Sequence, residues 1–174
     1  MLSQYLRSII ITSLVLLLMS CQPSVVAPIE NIYTENFESV LKQADVDLYL
    51  IPDLKLPGGI HLLSVQIPTK EQSEMYVINY GDGTDNKLIS ILQLVGFADS
   101  VIDVVPYQSK LVFEKKILVR ETHSTVLKEY HLANNVREFC LSWNEQGTSI
   151  LVQSRGFSEI ELVSIVNSLV QQKN

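Results

Sequence analysis

Between Leu111 and Gln153 the chain passes through four strand-like stretches separated by turns of three or four residues. This constrains the fold more than any other feature. "LVFEKKILVR" (111–120) leads through "ETHS" to "TVLKEYHL" (125–132), "ANN" leads to "VREFCLSW" (136–143), and "NEQG" leads to "TSILVQ" (148–153). Such short connections join antiparallel neighbours, because parallel strands need a crossover of about a dozen residues or more. Gly147 suits the positive-φ position of the last loop, read as a four-residue hairpin connection.

The stretches upstream extend the pattern. Val46–Ile51 reads as a strand, and Pro52, Pro57 and Gly58-Gly59 enforce a loop after it. "IHLLSVQI" (60–67) and "EMYVINY" (74–80) follow, then the turn "GDGTDN" (81–86) and "KLISILQL" (87–94), which would place Val77 and Ile89 on one buried face. Residues 95–110 fit either a short strand or a crossing loop ended by Pro106. Two helices frame the strands. Thr34 is an N-cap for Phe37, Val40, Leu41 and Ala44 at helical spacing. Ser158 to Glu161 is a capping box ahead of Leu162, Ile165, Val166 and Leu169. The expectation is a single α+β domain over 34–174, a mainly antiparallel sheet of about eight strands with an N-terminal and a C-terminal helix packed on it.

The front end is different. Ile9–Met19 is an 11-residue apolar stretch interrupted only by Thr12 and Ser13. As a helix it reaches about 16 Å, against a hydrocarbon core about 30 Å thick. It therefore suits the h-region of a secretory signal preceded by Arg7 better than a membrane span. A buried N-terminal core helix is the alternative, but Met1–Met19 offers no polar face for one. Leu18-Met19-Ser20-Cys21 resembles the lipobox of bacterial lipoproteins. That resemblance implies cleavage of a 1–20 signal peptide between Ser20 and Cys21, a diacylglycerol thioether on the Cys21 sulfur, and acylation, palmitate included, at the new terminus. Cysteine is required because a thiolate forms the thioether readily, and two or more acyl chains give stable anchoring. Residues 21–33, with two prolines and no amphipathic period, read as a lipidated tether.

Without residues 1–20, whose one charged side chain is Arg7, the formal charge of −6 becomes −7. An acidic chain with no Lys/Arg cluster does not suit nucleic acid or adsorption to anionic lipid; its expected membrane partner is reached through the lipid on Cys21. With Cys21 alkylated, Cys140 has no intrachain partner and reads as a small buried apolar residue, since a nucleophile needs an exposed electropositive setting.

No catalytic or metal-ligating set stands out, and no cofactor is expected. His61, His123 and His131 are the three histidines. His123 in a turn and His131 in the returning strand would be near neighbours, beside Glu121 or Glu129, but zinc needs three or four converging ligands. Asp82, Asp85 and Asn86 hint at a calcium loop without its acidic spacing, and a tight turn accounts for them. Glu159 and Glu161 are accounted for by helix capping. Trp143 and Tyr76, Tyr80, Tyr107 and Tyr130 read as core or sheet-surface aromatics, with a ligand platform as the alternative.

"LPGGIHLLSVQI", "MYVINYGDGTDNKLISILQ" and "LSWNEQGTSILVQSRGFSEIELVSIVNSL" resemble a bacterial family, the domain of unknown function 4367. The matching positions are Leu56-Pro57-Gly58-Gly59, Trp143 to Gly147, Ser158 to Leu162 and Ser168-Leu169, and the resemblance covers roughly 37–170. It implies an extracytoplasmic domain of the kind carried by lipoproteins and single-span proteins, and it carries over no catalytic residue. The expectation is a non-enzymatic lipoprotein, displayed outside the cytoplasmic membrane, that binds a protein or another envelope component. Gln22 after the lipid site would permit outer-membrane sorting in a Gram-negative cell. A carrier holding a lipid or lipoprotein acyl chain between sheet and helix is the alternative, and a hydrolase the third reading.

Overall fold

The computed structural model describes residues 30–32, 46–68, 75–84, 86–96, 102–133 and 135–172. In chain order they form β1 (Glu30–Ile32), β2 (Leu48–Leu50), β3 (His61–Ile67), β4 (Met75–Gly81), β5 (Leu88–Val95), β6 (Ser109–Val119), β7 (His123–Leu132), β8 (Arg137–Glu145), β9 (Thr148–Arg155), helix α1 (Glu159–Ser168) and β10 (Val170–Gln172). Eight strands make one antiparallel sheet in the order β1-β3-β4-β5-β9-β8-β7-β6, and β10 pairs with β2 in a separate ribbon. Two meanders, β3–β5 and β6–β9, therefore meet at the β5–β9 pair, in register from Leu88 opposite Arg155 to Val95 opposite Thr148. β6, which follows β5 in the chain, lies at the far edge of the sheet; of the undecided stretch 95–110, Val95 ends β5, residues 102–106 have no regular structure, and Ser109 opens β6.

The antiparallel sheet and the C-terminal helix match the sequence reading, while the helix expected at Thr34–Ala44 lies outside the described residues. Several details differ. The strand at Val46–Ile51 leaves the main sheet and takes the C-terminal β10 as its partner. Three residues of the expected tether, Glu30–Ile32, pair with β3 and occupy its outer backbone groups. The β8–β9 loop is two residues, Gln146 and Gly147, with φ of 48° and 81°. Two successive positive-φ residues mark a type I′ turn, whose twist matches the flanking strands and lets them run further than the four-residue reading allowed. The β6–β7 turn is Arg120–Thr122, so His123 opens β7 instead of lying in the turn. Val77 and Ile89 lie on opposite faces: Val77 is opposite Leu92, and Ile89 is opposite Tyr80.

Period-two alternation separates these faces. On one, Ile78, Ile89, Ile91, Leu141, Trp143, Ile150 and Val152 join a core with Leu48 and Leu50 of β2 and with Leu162, Ile165 and Val166 of α1. A ten-residue helix is marginal alone in water, and each of those buried aliphatics contributes about 1.5–3 kcal/mol. Both halves of the capping box form: Ser158 Oγ accepts from the Glu161 N–H at 3.3 Å, and Glu161 Oε2 accepts from the Ser158 N–H at 2.7 Å. At Gly156 (φ +76°) an added Cβ would lie 1.9 Å from the Asn86 carbonyl oxygen, so only glycine lets the end of β9 pass the turn before β5.

Gln93 fixes β2 above the sheet. Its Nε2 donates to the Tyr49 carbonyl and its Oε1 accepts from the Tyr49 N–H, both at 2.8 Å, with both residues fully buried. One side-chain amide thus replaces the ladder partner that the middle of β2 lacks on that edge. Replacing it by Gln93→Leu leaves two buried backbone groups unpaired, at about 1–3 kcal/mol each. Urea unfolding of that variant should show a loss of at least about 2 kcal/mol.

Candidate functional site

The opposite face of the sheet carries a mixed surface. Asn79 Nδ2 donates to Ser64 Oγ at 3.0 Å and Ser90 Oγ donates to Asn79 Oδ1 at 2.7 Å, forming a polar row across β3, β4 and β5. Towards β7 and β8 the surface turns apolar, where Tyr130, Cys140 and Leu151 pack with Leu92 and with Ile102 of the crossing loop. Residues 102–107 lie over this face as a strap. Lys128 Nζ reaches Asp103 Oδ1 at 2.7 Å and Oδ2 at 2.9 Å, and that hydrogen bond raises the Lys128 pKa. Ser109 Oγ donates to the Pro106 carbonyl at 2.5 Å and closes the strap onto β6.

The strap leaves a cleft on either side. The larger, about 380 Å³, has Leu88, Val105, Pro106 and Leu132 as apolar walls and Ser90, Gln153, Glu138 and Arg155 as its polar lining. Arg155 Nη2 sits 3.0 Å from Glu138 Oε2, and these residues are directly opposite on β9 and β8. The second cleft, about 340 Å³, is bordered by Ser124, Val126, Lys128, Ser142 and Leu151. Val104 lines both. Apolar walls with a few placed polar groups are the usual make-up of a ligand site. The ionic groups here are paired with one another, Glu138 with Arg155 and Asp103 with Lys128.

The residues singled out from sequence are dispersed. Ser20 and Cys21 lie outside the described residues. His123 and His131 sit near the two ends of β7, about 26 Å apart at ~3.3 Å per residue; the expected neighbourhood fails because His123 opens that strand and the chain runs extended from it to His131. His131 Nε2 does approach Glu129 Oε1, at 3.2 Å, and Arg137 Nε lies 2.7 Å from the same oxygen. Arg137, then His131, hold the Glu129 carboxyl below its usual pKa against the effect of burial. Thr122 Oγ1 and His123 Nδ1 are 3.0 Å apart, but they are chain neighbours where the turn meets β7, outside both clefts. Among the described residues no three of His, Cys, Asp and Glu converge as metal ligands. Asp82 Oδ1 accepts from the Thr84 N–H at 2.9 Å and from Thr84 Oγ1 at 2.7 Å, which holds its pKa down and accounts for the turn. Glu159 pairs with Lys115.

The aromatics divide as the strand pattern directs. Tyr76, Tyr80 and Trp143 are core, and Tyr80 Oη accepts from the Ile51 N–H at 3.2 Å. Tyr130 is buried on the strap face, and Tyr107, 88% exposed, presents its ring at the mouth of the larger cleft. The Glu138–Arg155 pair was missed from sequence. The alternation of "VREFCLSW" does place Glu138 on the same face as Cys140, but its partner lies across a hairpin register that only the two-residue turn determines.

A second buried ionic cluster serves the fold. Arg120 Nε lies 2.7 Å from Glu145 Oε2, which also accepts from Trp143 Nε1 at 3.1 Å. The guanidinium caps α1 by donating to the Leu169 carbonyl and stacks 5.4 Å from the Tyr49 ring centre. Burial first, then the Glu145 charge, push the Tyr49 phenol up to about 12.

Cys140 is 4% exposed, and burial followed by the Glu138 charge pushes its thiol up to about 12. In a Cys21→Ser chain, whose remaining thiol is Cys140, a disulfide reagent at pH 8 should give no adduct until urea unfolds the protein. Fast labelling of the folded chain would instead show that the strap opens readily.

Comparisons with protein-family models, with curated proteins and with solved structures find no match to this chain, so the resemblance to the family of unknown function rests on the motifs quoted above.

Proposed function

We propose that this chain is a lipoprotein anchored on the extracytoplasmic side of a bacterial membrane through lipid on Cys21, and that its α+β domain is a non-catalytic binding module. Its ligand is an envelope protein segment or a small amphiphile seated beside the strap. The observation that carries the binding reading is the 380 Å³ cleft, apolar in its walls and lined by a neutralised Glu138–Arg155 pair, on the sheet face that α1 does not cover. The packed layer of Leu162, Ile165 and Val166 against the sheet favours a surface site over a carrier with an internal cavity. Among the described residues, no histidine lines either cleft beside the serines and carboxylates that a hydrolase would use.

The family resemblance belongs to the same proposal and draws support from where its motifs fall. Leu56-Pro57-Gly58-Gly59 forms a turn before β3, closed by the Ile60 N–H on the Pro57 carbonyl at 3.0 Å. Trp143 to Gly147 ends the β8 side of a hairpin, and Ser158 to Leu162 starts α1. The N-terminal helix expected at Thr34–Ala44 also stands as a proposal.

Anchoring predicts that radiolabelled palmitate enters the wild-type chain in cells and that Cys21→Ser abolishes both the label and membrane fractionation. A labelled Cys21→Ser chain would overturn it. No helix among the described residues is long and apolar enough to cross a membrane, so no described helix would obscure that result.

Binding is tested by placing a photo-crosslinking phenylalanine at Tyr107 in cells. A discrete envelope adduct should form and should be lost when Leu88→Trp fills the cleft. An adduct indifferent to Leu88→Trp would remove the cleft from the proposal, and an adduct with lipid alone would favour the carrier.

A further inference from the structure

The outer edge of β6 is the feature that neither the core nor the clefts use. Edge strands expose unpaired N–H and C=O groups and are usually blunted by proline, bulges, inward charges or short length. β6 is the longest strand, 11 residues without a proline, and among the described residues it has β7 on one side and no strand on the other. Its one irregularity, between Leu111 and Phe113, leaves Phe113–Val119 regular. Of the eight large apolar side chains exposed among the described residues, Leu111, Val112 and Leu118 lie on β6, and Ile160 lies on α1 next to Glu159, which pairs with Lys115.

The sequence of this edge complements itself. Two copies related by a two-fold axis through the sheet keep matching faces only if the axis passes through a residue, since opposite residues must point the same way. An axis at Glu114 sets that carboxylate against its copy and Val112 against Lys116. One at Lys116 sets two ammonium groups together and Glu114 against Leu118. An axis at Lys115 places Glu114 opposite Lys116 twice, and Phe113 opposite Ile117 twice. Leu118 then falls beside the bulged Val112. The two Lys115 side chains that meet at the axis are each already neutralised by Glu159 of their own chain.

We propose that β6 pairs with β6 of a second copy, antiparallel and centred on Lys115, so that the two sheets run on as one. The occupant is a second copy because the favourable pairs repeat on both sides of a single centre, as an isologous interface requires. Cross-strand pairs of opposite charge and of aromatic with β-branched residues are the ones that stabilise adjacent strands, and like charges directly opposite oppose them.

The test is a charge swap. The full chain, purified in a mild detergent and sedimented with the micelle density-matched, should show about twice the mass of one chain. Lys116→Glu sets two carboxylate pairs beside the axis and should weaken self-association at least tenfold. Glu114→Lys together with Lys116→Glu restores both pairs with the sign reversed and should restore the dimer, which separates a lost interface from a misfolded strand. A single-chain mass for the wild type at about 100 µM would overturn the proposal. So would a Lys116→Glu chain that associates as tightly as the wild type, or a double variant that stays monomeric.

Discussion

The joint between β5 and β9 is the constraint from which the remaining architecture follows. It is the long-range pairing that unites two locally formed meanders, and its register decides what every neighbouring strand presents to either side. A slip of one residue would turn either Ile89 and Ile91 or Ile150 and Val152 away from α1, bringing Leu92 or Gln153 under it. Gly156 protects the register at one end, because the Asn86 carbonyl occupies the space that a Cβ would need. Gln93, inside the joint, then holds Tyr49, and through β2 and β10 that position determines where the chain leaves α1. Loop-closure entropy has to be met before this pairing contributes, so a sheet joined at its middle by distant strands is expected to fold slowly.

The helix end shows how a local shortage is met from elsewhere. No basic residue lies in the last turn of α1, so nothing within the helix complements its negative end. The β6–β7 turn supplies Arg120, whose backbone N–H donates to Asn167 Oδ1 at 2.6 Å while its guanidinium reaches the Leu169 carbonyl. Arg120 and Glu121 both hold positive φ, 51° and 64°, at about 1–2 kcal/mol apiece for non-glycine residues. The ion pair with Glu145 and the contacts at α1 hold the turn in that form. A largely buried pair of this kind adds little net stability, but losing one partner is expensive, so it opposes alternative placements of the turn.

Much of this was readable from residue pattern. The capping box, the apolar face of α1 and the succession of strands along the chain follow from spacing alone, since local hydrogen bonding and period-two burial act over a few residues. What escaped depends on partners remote in sequence. Nothing in "VDLYLIP" says that its strand will pair with "VQQ" at the other end of the chain, and nothing in Gln93 says that its amide will read a backbone. The hairpin turns differ from the sequence reading by one or two residues at their ends because Arg120, Glu121 and Gln146 take left-handed conformations that composition assigns to glycine. The candidate site was the least legible part: it is made by a crossing loop with no period of its own, laid over side chains that each look like ordinary strand residues.

The strap is attached by Ile102 in its apolar seat, by the hydrogen bond from Ser109 to the Pro106 carbonyl, and by one ion pair whose acid, Asp103, is 63% exposed. Such a pair at the edge of water is worth at most about 1 kcal/mol. Because Val104 forms part of both cavities, a guest entering one would press on a partition shared with the other. Occupancy on the left and occupancy on the right would then be linked by a single free energy, felt equally in both directions.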